Sequence, residues 1–562
     1  MPQGLQQFLQ EITEINPGEN GAEFAAGTPR LRVAAVAEGV FQVRFSQDGT
    51  PFREPPFSYA VVPDYFSTHR VEANLNTETD GYTRIECGGF AAVVQHRPLR
   101  VSFEDEQGNV FADDRYGVSW RGDKVAVWKN KVDGEHFYGM GERAIGINRL
   151  TRKFTNWNTD APAYKEWGDP LYSSFPFFMA LRPCEDGVRR AYGIYLDNSY
   201  RSEFDFGGEM LDGVDFCVYG GELVYYVIMG PDMTDVLRRY TEITGRAPLP
   251  PRWALGYQQS RWSYYPDTEV RTLVRQFRER MIPLDAVYLD IHYMEGYRVF
   301  TWDRERFPDP PGLLRDLLED GVKVVPIVDP GIKADAGYAV NEDGLAQDMF
   351  VKYPDGRVYT GSVWPGACHF PDFTSPKVRS WFGGYCRQML EDGAAGLWID
   401  MNEPSNHRFR TLPDIVRHDF EGEGGTHAEA HNVYGLLMAR ATYDGMRAHA
   451  SGERPFVLTR AGFSGVQRYA AMWTGDNVSD WEHLRLTTSM LLSLGMSGMP
   501  FAGSDVGGFF DSPSPELFAR WIQLGAFSPL FRTHTIFHSQ RQEPWSFGPA
   551  VETIARKFIE LR

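Results

Sequence analysis

The sequence predicts an α/β protein: a (β/α)8 TIM barrel over residues 251–562, preceded by an antiparallel β-sandwich over residues 1–245. Three observations carry this reading. A chain of 562 residues is too long for one hydrophobic core. Up to about Tyr226 it alternates apolar and polar residues with the period of a half-buried strand, as where Phe41, Val43 and Phe45 bracket Gln42 and Arg44. Beyond Trp253 short apolar runs alternate eight times with stretches of helical period, the pattern of a parallel barrel.

In the first half the turn signals Asp48-Gly49, Asp80-Gly81 and Asp212-Gly213 separate short strands, and the first helical pattern is Met233–Tyr240. The Pro-rich stretch Arg246–Trp253 reads as the joint between domains. The barrel strands are then expected at Ala254–Gln258, Ala286–Ile291, Val322–Val328, Leu397–Asp400, Phe456–Arg460, Ala471–Asp476, Pro500–Asp505 and Phe527–Phe531. Helices are clearest at Thr268–Arg280, Val378–Leu390, Glu429–Met446 and Pro515–Leu524, and residues 332–374 read as an inserted subdomain.

Composition excludes several partners. With 57 basic against 75 acidic residues the net charge is −18, unfavourable for nucleic acid or an anionic membrane surface. No 18-residue apolar run offers a transmembrane helix. The N-terminal residues lack the basic and apolar regions of a secretory leader, and the five cysteines (Cys87, Cys184, Cys217, Cys368, Cys386) are scattered, odd in number and without a CxxC pair. Both features point to free thiols and a cytoplasmic protein, and self-association into a homo-oligomer stays open.

Two strand ends carry the chemistry. In GLWIDMNEPS an apolar run ends in Asp400, with Asn402 and Glu403 behind it; in AAMWTGDN another ends in Asp476. Carboxylates at the C-terminal ends of barrel strands face the active-site rim, and a Trp-flanked pair suits acid/base or nucleophilic work on a sugar. A strand-end Asp also serves as a helix N-cap, which is the alternative for each position taken singly.

These segments resemble the catalytic signature of glycoside hydrolase family 31, in its α-glucosidase branch. Tyr288–Asp303, Trp364–Pro376, Phe501–Phe509 and Ser528–Thr535 are similar to further motifs of that family and stand in its order. The resemblance implies a retaining, exo-acting α-glucosidase that needs no metal and no organic cofactor and takes a small oligosaccharide. An α-transglucosylase using the same covalent intermediate, or an impaired carbohydrate-binding fragment, is the alternative.

By this resemblance Asp400 is the nucleophile and Asp476 the general acid/base, with Glu403 a rival nucleophile that more simply orients Asp400 or anchors its loop. Asp290 and His534 are implied as ligands of sugar hydroxyls, with Asp290 as a helix cap the alternative. Ile291, Met401 and Asp505 are assigned to the same pocket, and Trp364, Trp398, Trp473 and Phe509 to its walls. Arg460 either compensates the carboxylates or forms a plain structural ion pair. Asn156–Tyr164 resembles a sandwich loop that reaches over the pocket and brings Asp160 to the sugar. The family continues into further β-domains, which are absent here, and Val551, Ile554, Phe558 and Leu561 are expected to face inward from a last barrel helix within which the chain stops.

Overall fold

The computed structural model describes residues 6–77, 81–184, 186–449 and 452–562, so Met1–Leu5 and Asp80 of the second turn signal lie outside the described residues. In the N-terminal half three antiparallel sheets share a core. An eight-stranded sheet runs in the order 136–139, 177–183, 189–196, 223–230, 40–46, 30–37, 21–25, 14–17. A five-stranded and a six-stranded sheet cover one of its faces, and Phe24, Phe41 and Val43 pack there with Ile85, Val94, Phe103, Val127 and Phe216.

The opposite face explains a departure from the expected alternation. Gln42 and Arg44, read as the polar side of their strand, are also buried. That side turns toward the second domain, where helix Met233–Thr244 packs Val236, Tyr240 and Ile243 against Phe177, Tyr195 and Tyr226. Buried polar groups need partners. Gln42 Nε2 accordingly donates to the Tyr226 hydroxyl at 2.8 Å, and Arg44 forks onto Glu222 at 2.5 and 2.8 Å.

The C-terminal half is a closed parallel barrel. Its strands are Tyr257–Gln259, Ala286–Leu289, Lys323–Val328, Leu397–Ile399, Val457–Thr459, Ala471–Trp473, a seventh in two pieces (Ala502–Gly503 and Asp505–Val506), and Phe531–Thr533. The break at Ser504 lets the seventh strand pair with the sixth through its first piece and with the eighth through its second, while the eighth pairs with the first. Every strand-to-strand edge within the barrel is thereby covered.

Differences from the expected elements have local causes. Arg252–Leu255 forms a 3₁₀ turn ahead of the first strand. The last strand begins only at Phe531, because Phe527 is exposed and Pro529 lacks a ladder N–H. Helices Pro310–Glu319 and Trp481–Gly495, absent from the expectation, each begin at an Asp N-cap, Asp309 and Asp480. In the final helix Pro549–Leu561 the buried stripe is Val551, Ala555 and Ile559; Ile554 and Phe558 flank it, and Leu561 is exposed, so the expected face was rotated. Residues 332–374 hold a small antiparallel sheet and helix Ala339–Ala346, and their apolar cluster of Val351, Tyr359, Val363, Cys368 and Phe370 includes Met401. Among the described residues no helix is long and apolar enough to cross a membrane.

Candidate active site

The C-terminal rim gathers a dense set of ionisable groups: Asp290, Asp329, Asp400, Arg460 and Asp476 each lie at or just past the end of a barrel strand. Arg460 is the hub. It is 2 % exposed, forks onto Glu403 through Nε (2.8 Å) and Nη2 (2.9 Å), and donates from Nη2 to Met401 Sδ at 3.2 Å. Its Nε lies 3.0 Å from Asp400, while Nη1 and Nη2 lie 3.6 Å from Asp476 and Asp160. Both readings of Arg460 from the sequence therefore describe the same residue, an ion pair that also compensates the cluster. Burial disfavours its charge, but Asp400, Glu403, Asp160 and Asp476 outweigh that and hold the proton more firmly than usual.

The two candidate catalytic carboxyls differ in what surrounds them. Burial raises Asp400, but the close Arg460 guanidinium and the Met401 N–H (2.7 Å) oppose it. Burial raises Asp476 well above the carboxylate range; Arg460 opposes from further away, and Asp400 and Asp160 add repulsion. One proton shared between them is thus stabilised on Asp476. Glu403 is 1 % exposed, engaged by both arms of Arg460 and by the Ser405 hydroxyl (2.8 Å), which leaves it no free face for a substrate.

Asp476 is aimed by its neighbours in the other domain. Gly475 has φ +63°, and a Cβ there would sit 2.0 Å from the Tyr172 ring. The Tyr172 hydroxyl accepts the Asp476 N–H at 3.3 Å, and Ala163 N–H donates to the Asp476 carbonyl at 2.9 Å. Asp160, on the same sandwich loop, accepts from Ser405 at 2.9 Å.

Around the rim, burial lifts the Asp290 carboxyl to about 8, helped by Asp400 and Asp505 and opposed by the Ile291 N–H. Its Oδ2 lies 3.8 Å from His534 Nε2, whose Nδ1 meets Ser260 Oγ at 2.7 Å. Ile291, buried, opens the turn that follows Asp290. Met401 has φ +56° and a buried side chain. Phe509 stacks on His534 at 5.1 Å and joins Trp364 through Trp262, at 6.4 and 5.2 Å.

Trp398 also meets His534 edge to face at 5.2 Å. Trp398 and Trp473 meet edge to face at 5.8 Å, both 1 % exposed, and with Tyr288 they cage the Arg532 guanidinium at 4.9–5.2 Å. Arg532 in turn pairs with Asp505 at 2.6 Å, and both side chains are fully buried. Asp505 is therefore the buried counter-charge of Arg532. Sequence reasoning missed Asp329, Trp262, Tyr172 and Arg532. The signal for Asp329 was present, since VVPIVD is an apolar run ending in a carboxylate like the others. Buried and repelled by Asp400 and Asp290, Asp329 is raised well above the carboxylate range, and its Oδ1 has no hydrogen-bond partner.

Residues 247–562 match the Glycosyl hydrolases family 31 TIM-barrel domain, and residues 30–205 match the Glycosyl hydrolase 31 N-terminal galactose mutarotase-like domain. The chain belongs to glycosyl hydrolase family 31. Within it the chain is 45 % identical over 551 residues to Alpha-glucosidase 2 of Bacillus thermoamyloliquefaciens, covering 97 % of this chain and 68 % of that protein. It is 38 % identical over 458 residues to human Neutral alpha-glucosidase AB, covering 76 % of this chain and 48 % of that one. The GH31 dextranase of Flavobacterium johnsoniae, solved with glucose, superposes with a TM-score of 0.91 at 31 % identity over 99 % of this chain and 68 % of that one. The family's barrel and preceding β-domain are thus both present, and the chain spans between about half and two thirds of these relatives.

Proposed function

We propose that this family 31 chain is a retaining, exo-acting α-glucosidase, releasing glucose from the non-reducing end of α-linked oligosaccharides. The observation that carries the proposal is the unequal sharing of Arg460, at 3.0 Å from Asp400 and 3.6 Å from Asp476. Asp400 is favoured as the ionised nucleophile and Asp476 as the protonated acid, the division of labour of a double displacement. Asp476 protonates the leaving oxygen while Asp400 attacks the anomeric carbon, inverting it. Asp476, now ionised, takes a proton from water, which attacks the glucosyl-enzyme and inverts the centre again. Retention needs the two carboxyls about 5–5.5 Å apart, and two groups that share one guanidinium are suitably close neighbours. The docked loop with Asp160 and the wall of Trp262, Trp364 and Phe509 favour a closed end over a through-running cleft, hence exo-action. Five free thiols, four of them buried, support a reducing compartment such as the cytoplasm.

Proton NMR of the first product from a panel of glucose disaccharides tests the proposal. Initial α-glucose is expected, and the panel reads out the linkage. Initial β-glucose, or no glucose from any member, would overturn it.

A further inference from the structure

A chain of buried imidazoles connects the barrel to the sandwich loop. Asp372 Oδ1 meets His418 Nδ1 at 2.9 Å, His418 Nε2 meets His427 Nδ1 at 3.1 Å, and His427 Nε2 meets His431 Nδ1 at 3.1 Å. His431 Nε2 then meets the carbonyl oxygen of Asn158 at 2.7 Å, two residues before Asp160. All three rings are almost wholly buried, and Trp157 stacks on His431 at 3.7 Å. The rings run in series rather than converging, and the described residues contain no group of His, Cys, Asp or Glu that could hold a metal ion.

Counting protons decides the state of this chain. It has four links, each needing one hydrogen, and it ends on acceptors: the Asp372 carboxylate and a backbone carbonyl. Three neutral imidazoles supply one N–H each, one too few. The Thr411 hydroxyl lies 3.2 Å from His431 Nδ1 and 3.5 Å from His427 Nε2, and its single hydrogen satisfies only one of them. A neutral chain therefore leaves two lone pairs facing each other across about 3 Å at one link.

We propose that Asp372, His418, His427 and His431 form a proton-loaded latch that positions the loop carrying Asp160 over the pocket. The extra proton sits on His418, which donates from both nitrogens. His427 and His431 each carry their proton on Nε2, and the last one closes on Asn158. This placement follows from the surroundings. Burial and its neighbours hold His427 well below the usual imidazole range and His431 at about 3, so neither takes the charge. Burial pushes Asp372 up, but His418, the Thr374 hydroxyl and the Asp419 N–H outweigh it and keep the carboxylate ionised. The other groups packed around His418 and Asp372 are Glu429 and Tyr434 on the helix of His427, the Arg379–Glu421 pair at 2.8 Å, and Tyr59 from the sandwich. Asn432 holds the same loop residue without any proton switch, its Oδ1 accepting the Asn158 N–H at 2.9 Å. The latch rests on the reading of Asp160 as a pocket residue: with the extra proton every link from Asp372 to Asn158 is made, and without it one link must open.

Selective ¹⁵N labelling of the 13 histidine rings reads the latch in the wild-type protein. In the wild type near neutral pH one buried ring protonated on both nitrogens is expected, and it should vanish in Asp372→Asn and His418→Gln. Hydrogen exchange of residues 156–164, corrected for intrinsic rates, should lose about tenfold protection in His431→Phe, the effect of one lost buried hydrogen bond to Asn158. Only neutral rings in the wild type, or loop protection indifferent to His431→Phe, would overturn the latch. If His431→Phe fails to fold, the wild-type spectrum and Asp372→Asn still decide. A protein with the imidazolium but no α-glucosidase turnover would overturn the function proposed above and leave the latch standing.

Discussion

Replacing Arg460 by Gln strips the rim of the cation that sets the two carboxyls apart. Glu403, 1 % exposed, would lose both of its guanidinium bonds at 2.8 and 2.9 Å, and Asp400 would lose its cation at 3.0 Å. Removing one partner of a buried ion pair costs about 3–5 kcal/mol. At roughly 2–4 °C per kcal/mol, Tm should fall by roughly 6–20 °C. The pH dependence has a definite sign. Glu403 is already raised by burial; without Arg460 its folded pKa rises further above the unfolded value of about 4.3, so the folded state binds the extra proton. Stability tied to that proton is present at low pH and lost as pH rises through the folded pKa. The Tm deficit should therefore shrink toward pH 5 and widen toward pH 8. Kinetics should move in step. A cation about 4 Å from a carboxylate is worth about 4 kcal/mol at an effective dielectric constant of about 20. If even a third of that survives relaxation, Asp400 rises by about one pK unit. The acidic limb of kcat/KM for an aryl α-glucoside should then shift about one unit to higher pH. A limb that stays in place, with Tm within about 2 °C of wild type, would refute the account of Arg460.

Three further outcomes are expected. Asp400→Asn should abolish turnover on every substrate, because no glucosyl-enzyme forms, whereas Asp476→Asn should slow unactivated α-glucosides by roughly 10²–10⁴-fold and spare the first step with good leaving groups; near-full activity in Asp400→Asn with loss in Glu403→Gln would reverse the assignment. Gly475→Ala, with its φ of +63° and its Cβ 2.0 Å from Tyr172, should displace the acid, lowering kcat/KM for disaccharides more than for aryl α-glucosides in steady-state assays. Arg532→Met strands the fully buried Asp505 and should cost about 3–5 kcal/mol in denaturant unfolding, much of it recovered by adding Asp505→Leu; a neutral single variant would sink the buried ion pair.

The sequence by itself determined the two domains, the barrel, and the rim positions of Asp290, Asp400, Arg460, Asp476 and His534, because strand period and strand-end position are local patterns that survive without knowing which strands are neighbours. It misjudged elements where local pattern and packing part company. Gln42 and Arg44 look solvent-facing, yet Tyr226, Glu222 and the Phe52–Glu54 segment cover them. Tertiary structure alone decided which charges share Arg460, since Asp160, Asp400, Glu403 and Asp476 reach it from separate strands, loops and domains. The same holds for the histidine chain. Asp372, His418, His427 and His431 are spread over sixty residues, and the proton proposed for them has a place only once folding lines up four donor-limited links out of reach of water.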